Sequence, residues 1–113
     1  MSAILNAATD SIVMAELDTT CVIINPAGAA RLDRGVDEVV GQRLCELLAP
    51  EVALRRKAVV DQVIRTKQPI QFEDEEKQNI WFEHSIYPVL DEQSSVTRIA
   101  VVSRDISQHK QTE

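Results

Sequence analysis

The chain is poor in the residues that build most easily recognised chemistry. Its 113 residues include two cysteines, Cys21 and Cys45, too few and too far apart for a disulfide framework or a zinc site. Both sit among apolar neighbours, as buried thiols do. The four aromatics, Phe72, Trp81, Phe82 and Tyr87, advertise no broad stacking platform for a planar cofactor. No apolar run approaches the ~20 residues of a membrane helix, and no signal-peptide pattern is present. The stretch is therefore expected to carry no membrane segment and to work in the cytoplasm; the anchor of a membrane-bound longer protein would lie outside it. A net charge of −6 argues against nucleic acid as a partner, because neutralising phosphates takes clustered Lys and Arg. Catalytic signatures are missing too. One of the two histidines, His109, lies in the tail, and there is no Ser–His–Asp or Cys–His arrangement, phosphate loop or metal-ligand spacing. A small isomerase could act through one buried acid or His without a motif, but such folds generally place helices before the sheet. The expectation is a domain that is not an enzyme and holds no metal.

What remains is ordinary for one globular domain: 44% hydrophobic and 27% charged residues, enough chain to bury roughly two-thirds of its unfolded surface. Ile4, Leu5 and Ala8 have helical spacing, which predicts a flanking helix within residues 1–10. Ser11–Leu17 and Cys21–Asn25 read as a β-hairpin closed by Asp18-Thr19-Thr20. Asn25-Pro26 then starts a helix to about Leu32, Asn as N-cap and Pro in the first turn. A short helix over Val36–Val40 follows, with Gly41 supplying a left-handed C-cap. The longest helix runs from Pro50 to about Thr66, and Pro69 closes it. Strands are expected at Ile70–Glu73, Ile80–Leu90 and Val96–Ile106, the first two joined by an acidic turn, Glu73-Asp74-Glu75-Glu76. That turn reads as a solvated hairpin tip. Five antiparallel strands with helices on one face make an α+β domain over residues 11–107.

The end of the chain is its most telling part. The last core strand runs into Asp105-Ile106-Ser107, and polar sequence continues over 108–113. Ser107 is a plausible N-cap, and Asp105 places negative charge beside the same helix end. Such an exit suits a junction between a domain and a C-terminal linker helix.

In their order and spacing, Asn25-Pro26-Ala27-Gly28-Ala29-Ala30, Val39-Val40-Gly41-Gln42, Leu47-Leu48-Ala49-Pro50, Trp81 with Pro88, and Arg104-Asp105-Ile106-Ser107 resemble a PAS domain over nearly the whole chain. The last resembles the Asp-Ile-Thr signature that ends many bacterial PAS domains, Ser keeping the hydroxyl of Thr. The hairpin departs from the pattern by lacking its usual Gly. The resemblance implies a sheet in order 2-1-5-4-3, and a sensor or dimerisation module upstream of a histidine kinase or cyclic-dinucleotide enzyme in the same polypeptide. It also argues against two cofactors. A haem-binding PAS domain would want an axial His on or near the long helix, and Glu51–Lys67 contains none. Photoactive flavin needs a Cys one place earlier than Cys45, and one residue turns a helical side chain by about 100°.

A ligand of such a domain would lie between the sheet and the long helix. Val52, Ala53, Val59, Val60, Val63 and Ile64 of that helix fall within an arc of about 140°, with Arg56 projecting from its middle. An Arg there should be paired, snorkelling or binding an anion. Along the fourth strand, Ile80, Phe82, His84 and Ile86 share one face, and Trp81, Glu83, Ser85 and Tyr87 the other. The first set is expected to face the helices. Arg56, Val59, Val60, Val63, Phe82, His84 and Ile86 are thus the pocket candidates, with Arg56 and His84 able to converge on a small anionic ligand. The plainer alternative pairs Arg56 with Glu73, or lets it snorkel, and gives His84 a backbone carbonyl. Ile4, Leu5, Ala8, Trp81 and Tyr87 are the candidate face of a homodimer. Two functions compete: a ligand sensor signalling through Asp105, Ile106 and Ser107, and a ligand-free dimerisation scaffold.

Overall fold

The structure, a computed structural model, describes residues 10–107 apart from the side chains at 76 and 77. The expected flanking helix with Ile4, Leu5 and Ala8, and the linker helix over 108–113, lie outside the described residues. The elements are β1 (Ser11–Glu16), β2 (Cys21–Ile24), α1 (Pro26–Arg31), α2 (Val36–Val39), a 3-10 turn (Leu44–Glu46), α3 (Pro50–Thr66), β3 (Ile70–Lys77), β4 (Ile80–Leu90) and β5 (Val96–Asp105). All five strands pair antiparallel in one sheet of order β2-β1-β5-β4-β3, as expected.

Local chemistry explains the joints. In the first hairpin the Asp18 carboxylate accepts from Thr20 N–H at 2.9 Å. That bond, with help from the Thr20 hydroxyl and Arg43, holds the Asp18 carboxyl below its ordinary value. Thr19 takes φ +75°, the left-handed conformation that the missing Gly would have adopted more easily. Asn25 caps α1 and also stitches it to β1. Its Oδ1 accepts from Gly28 N at 2.9 Å and Ile12 N at 3.0 Å, while Nδ2 donates to the Asp10 carbonyl at 2.7 Å. Gly28 is there because nothing larger fits: a Cβ would sit 2.8 Å from Ile24 Cγ1 and 2.9 Å from Ser11 Oγ. Gly41 takes φ +90° after α2, and Lys67 ends α3 in the left-handed conformation at φ +58°.

One expected turn is strand instead. The acidic run Glu73–Glu76 continues β3 to Lys77, and the chain reverses at 78–79, where Asn79 takes φ +66°. Asn tolerates that conformation and ends the strand where the acidic residues need not. Extending β3 brings Asp74 opposite Phe82 rather than out at a hairpin tip.

The core lies between the sheet and the helices in two clusters. Val13, Cys21, Ile24, Ala29 and Val39 form one, and Ala15, Val60, Val63, Ile86 and Ile99 the other, with Leu44 and Val101 touching both. Burial pushes the Cys21 thiol up from its ordinary value of 9.0.

Candidate functional site

The inner face of β4 alternates as its sequence indicates, and His84 on that face is fully buried. In the register, Ser103 of β5 stands opposite His84 on one side and Phe72 of β3 on the other. The His84 ring lies 5.1 Å from the ring of Phe72 and 6.0 Å from that of Phe82. From α3, Arg56 reaches into the same place. Its Nη2 donates to Asp74 Oδ2 at 3.0 Å and lies 2.9 Å from His84 Nε2, while Asp74 Oδ1 is 3.0 Å from the same Nε2. His84 Nδ1 is 2.7 Å from Ser103 Oγ.

Donor and acceptor rules restrict what this cluster can be. A guanidinium only donates and an ionised carboxylate only accepts, so Nε2 cannot serve both neighbours at once. A bare Nε2 accepts from Arg56; a protonated Nε2 donates to Asp74. The Ser103 hydroxyl serves either tautomer, accepting from a protonated Nδ1 or donating to a bare one. The placement of the ring hydrogens therefore decides whether His84 bonds to the cation or to the anion of the Arg56–Asp74 pair.

Beside the cluster a cavity of about 580 Å³ separates the sheet from α1 and α3. Its floor includes Ser11, Ala15, Ile86, Ile99, Val101 and Ser103, and its lining is largely apolar. Of the charged residues lining it, four are cations (Arg31, Arg43, Arg56, Lys57) and two are anions (Asp18, Asp61). That balance is opposite in sign to the whole chain, whose net charge is −6. Lys57 pairs with Asp61 at 2.9 Å, Arg43 with Asp18 at 3.9 Å, and the Arg31 guanidinium lies 3.8 Å above the Phe82 ring.

A family profile described as the PAS fold matches residues 5–111. The chain belongs to the PAS family. Solved structures agree. A sensory box sensor histidine kinase from Vibrio cholerae superposes with a TM-score of 0.80 at 17% identity, over 92% of this chain and 87% of that one. A domain of an HTR-like protein from Haloarcula marismortui gives 0.74 at 28% identity, over 87% and 98%. The PAS domain of Bordetella pertussis BvgS gives 0.77 at 14% identity, over 97% and 86%. None of the curated proteins compared matches the chain. PAS domains are regulatory sensor modules, which agrees with a domain that is not itself an enzyme. Among the described residues of this PAS domain, no helix is long and apolar enough to cross a membrane, and no three His, Cys, Asp or Glu are grouped to hold a metal.

Arg56, Val60 and Ile86 of the pocket candidates line the cavity. His84 does not; it lies behind Arg56 and Ser103, which do. Val63 is fully buried against Ile86 and Ile99, Val59 is half-buried against the same cluster, and Phe82 lies under Arg31. The structure shows two partners of the polar residues that the sequence reading did not name: Arg56 pairs with Asp74, and His84 has the Ser103 hydroxyl and Asp74 beside it. Asp74 and Ser103 were not singled out from the sequence. The signal for Asp74 was period 2 from Phe72, obscured by reading the acidic run as a turn; Ser103 is revealed only by the cross-strand register.

At the exit of β5 the Asp105-Ile106-Ser107 segment is fastened to the start of β4. Ile106 N donates to the Trp81 carbonyl at 2.9 Å, and Trp81 N donates to Ser107 Oγ at 2.9 Å. Asp105 Oδ1 accepts from Ser107 N at 2.9 Å. The Ser107 hydroxyl thus binds strand β4, while the first free N–H of the exit is met by Asp105. Trp81 is half-buried and Tyr87 is 45% exposed.

Proposed function

We propose that this PAS domain is the sensor module of a larger bacterial signalling protein, with a histidine kinase as the effector in the same polypeptide, and that it works in the cytoplasm. Its cavity takes a small anionic ligand, and occupancy is passed along β5 to Asp105, Ile106 and Ser107. One observation carries the reading: a largely apolar cavity of about 580 Å³ has Arg56 on its wall, joined through His84 to Ser103, two residues before the junction. The volume falls within the roughly 300–1,000 Å³ usual for small-molecule sites, and a few convergent polar groups in an apolar lining are what such sites use. The sensor histidine kinase neighbour supports the choice of effector. Native mass spectrometry of the purified domain tests it. A small anion carried under gentle conditions, released on denaturation and lost in Arg56→Met supports a sensor. A cavity that retains nothing, and is unaltered by a screen of carboxylates and phosphates, refutes it.

A second reading has its own observation. On the outer face of the sheet the register aligns Ile23, Met14, Ala100 and Tyr87 in one row across four strands. Ile23 is 56% exposed and Tyr87 45%. Single exposed apolar residues are normal, but a continuous row suits a contact surface. Under this reading the domain is a homodimerisation scaffold, Trp81 and Tyr87 belong to its interface, and Tyr87→Lys turns a dimer into a monomer in sedimentation. An unchanged sedimentation coefficient rejects that interface.

A further inference from the structure

The floor of the cavity is graded from polar to apolar. Strand register places Ser11, Ser103 and His84 in one row, Val13, Val101 and Ile86 in the next, and Ala15, Ile99 and Pro88 in the third. Rows on one face lie two residues apart, so the first and third are separated by about 13 Å. Arg56 belongs to the polar end through its contact with His84, while Val60 of the same helix packs with Ala15, Ile86 and Ile99 at the apolar end. Leu17 and Leu54 also line the cavity and are 41% and 71% exposed. A molecule matching this gradient has one anionic head and an unbranched apolar body. The group already resting on Arg56 is a carboxylate, that of Asp74, at 3.0 Å.

We propose that the cavity takes an aliphatic monocarboxylate, and that Asp74 stands in for its head group on Arg56 until the ligand replaces it. The inference rests on the cavity being a ligand site. Replacement has a defined consequence for His84. Groups facing the ring include Arg56 from α3, Asp74 and Phe72 from β3, Ser103 from β5, and Phe82 of its own strand with the Arg31 guanidinium above it. When Arg56 turns to the ligand carboxylate, a bare Nε2 loses its donor and faces Asp74 Oδ1 as acceptor against acceptor. One proton taken from solvent onto Nε2 resolves this and, unlike a shift of the hydrogen from Nδ1, leaves the Asp74 carboxylate a cationic partner, giving a His84–Asp74 ion pair in place of the Arg56–Asp74 pair. No other bond is made or broken, and Nδ1 keeps its hydrogen bond to Ser103. Binding of the anion is thereby coupled to uptake of a proton beside β5.

Calorimetric titration of the domain with octanoate and with 1-octanol tests both parts. Octanoate is expected to bind at least ten-fold more tightly than the neutral alcohol of equal length. Repeating the titration in two buffers of different ionisation enthalpy should show uptake of close to one proton per octanoate. Asp74→Asn, which removes the competing charge while keeping the shape, should bind octanoate several-fold more tightly and without that uptake. Equal binding of octanol and octanoate overturns the inference and leaves the cavity reading standing, since the site then takes ligands without recognising a carboxylate. Octanoate binding that Asp74→Asn leaves unchanged, or that takes up no proton, overturns the exchange. If neither compound binds wild type or Asp74→Asn, the inference fails, and the cavity reading falls with it only when the wider screen of carboxylates and phosphates is also empty. The comparison of the two ligands uses wild type alone and does not depend on any variant folding.

Discussion

Removing one member of the Arg56–Asp74 pair should cost more than removing both. The partners meet at 3.0 Å with side chains each 19% exposed. Breaking a fully buried pair from one side costs about 3–5 kcal/mol, because a charge is stranded, and an exposed pair is worth about 0–1 kcal/mol. Four-fifths burial lies nearer the first limit, so Asp74→Leu, which takes the carboxylate at 3.0 Å from Arg56 beside His84 and Phe72, should lose about 2–3 kcal/mol. Arg56→Met should lose less, about 1–2 kcal/mol, because Asp74 retains a hydrogen-bond donor in His84 Nε2. The double variant replaces both charges by apolar groups of similar length and should lose no more than about 1 kcal/mol. These values imply a coupling of about 2 kcal/mol or more, well above the roughly 0.3–0.5 kcal/mol within which independent sites add. Urea unfolding at constant m measures it directly. For a domain of this size the melting temperature of Asp74→Leu should fall by about 8–24 °C, at roughly 4–8 °C per kcal/mol. Single losses below about 0.5 kcal/mol that simply add in the double variant would show the pair to be solvated and the reasoning wrong.

Other consequences are local. Asn25→Ala removes two accepted hydrogen bonds and one donated one at the joint of β1 and α1 and should lower stability by about 2–3 kcal/mol; a loss below about 1 kcal/mol in urea unfolding would mean water replaces them. Lys67→Gly should raise stability by about 0.5–1 kcal/mol, because Gly adopts the left-handed C-cap at φ +58° without a Cβ clash; a lower urea midpoint would contradict this. Cys21 is raised by burial above its unfolded value of 9.0, so the stability it lends is complete below that pH and declines as pH climbs toward its folded value. At pH 8, iodoacetamide followed by mass spectrometry should modify Cys45, which is half-buried, and reach Cys21 only at the rate of unfolding; equal rates would deny the burial.

How much of this was legible in the sequence depends on how far apart the interacting residues lie. Asn25-Pro26 predicted the start of α1 because a cap acts over three residues, and the Asn25 bond to Gly28 is that cap. The inward set Phe82, His84 and Ile86 was legible because a strand alternates strictly, and Arg56 stood out as a charge on an apolar arc. What makes Arg56 and His84 one cluster was not legible. Asp74 belongs to it only if β3 continues through an acidic run, which local propensity opposes and pairing with β4 imposes. Ser103 belongs to it through a register between strands 19 residues apart in sequence. The cavity is further still from the sequence, since its lining comes from β1, α1, α3, β4 and β5 together.

The junction gives a last prediction that separates a relay from a structural cap. Asp105 is exposed, and its side chain makes a bond to Ser107 N at 2.9 Å while the backbone of Ile106 and the hydroxyl of Ser107 hold Trp81. Losing one exposed hydrogen bond costs about 0.5–1.5 kcal/mol, too little to unfold a domain of ordinary stability. Asp105→Ala should therefore leave the isolated domain folded but free Ser107 to leave Trp81, whose amide then loses protection against hydrogen exchange while that of Ile86, deep in β4, keeps it. In the full-length protein the same change should uncouple output from input. The reason is geometric: Ser103, which bonds His84, and Asp105, which orients Ser107, lie two residues apart on one strand, so a shift of β5 against β4 at the first reaches the second with nothing between to absorb it. An Asp105→Ala domain that is unfolded, or a Trp81 amide as protected as before, would make Asp105 a structural cap and leave the relay without its joint.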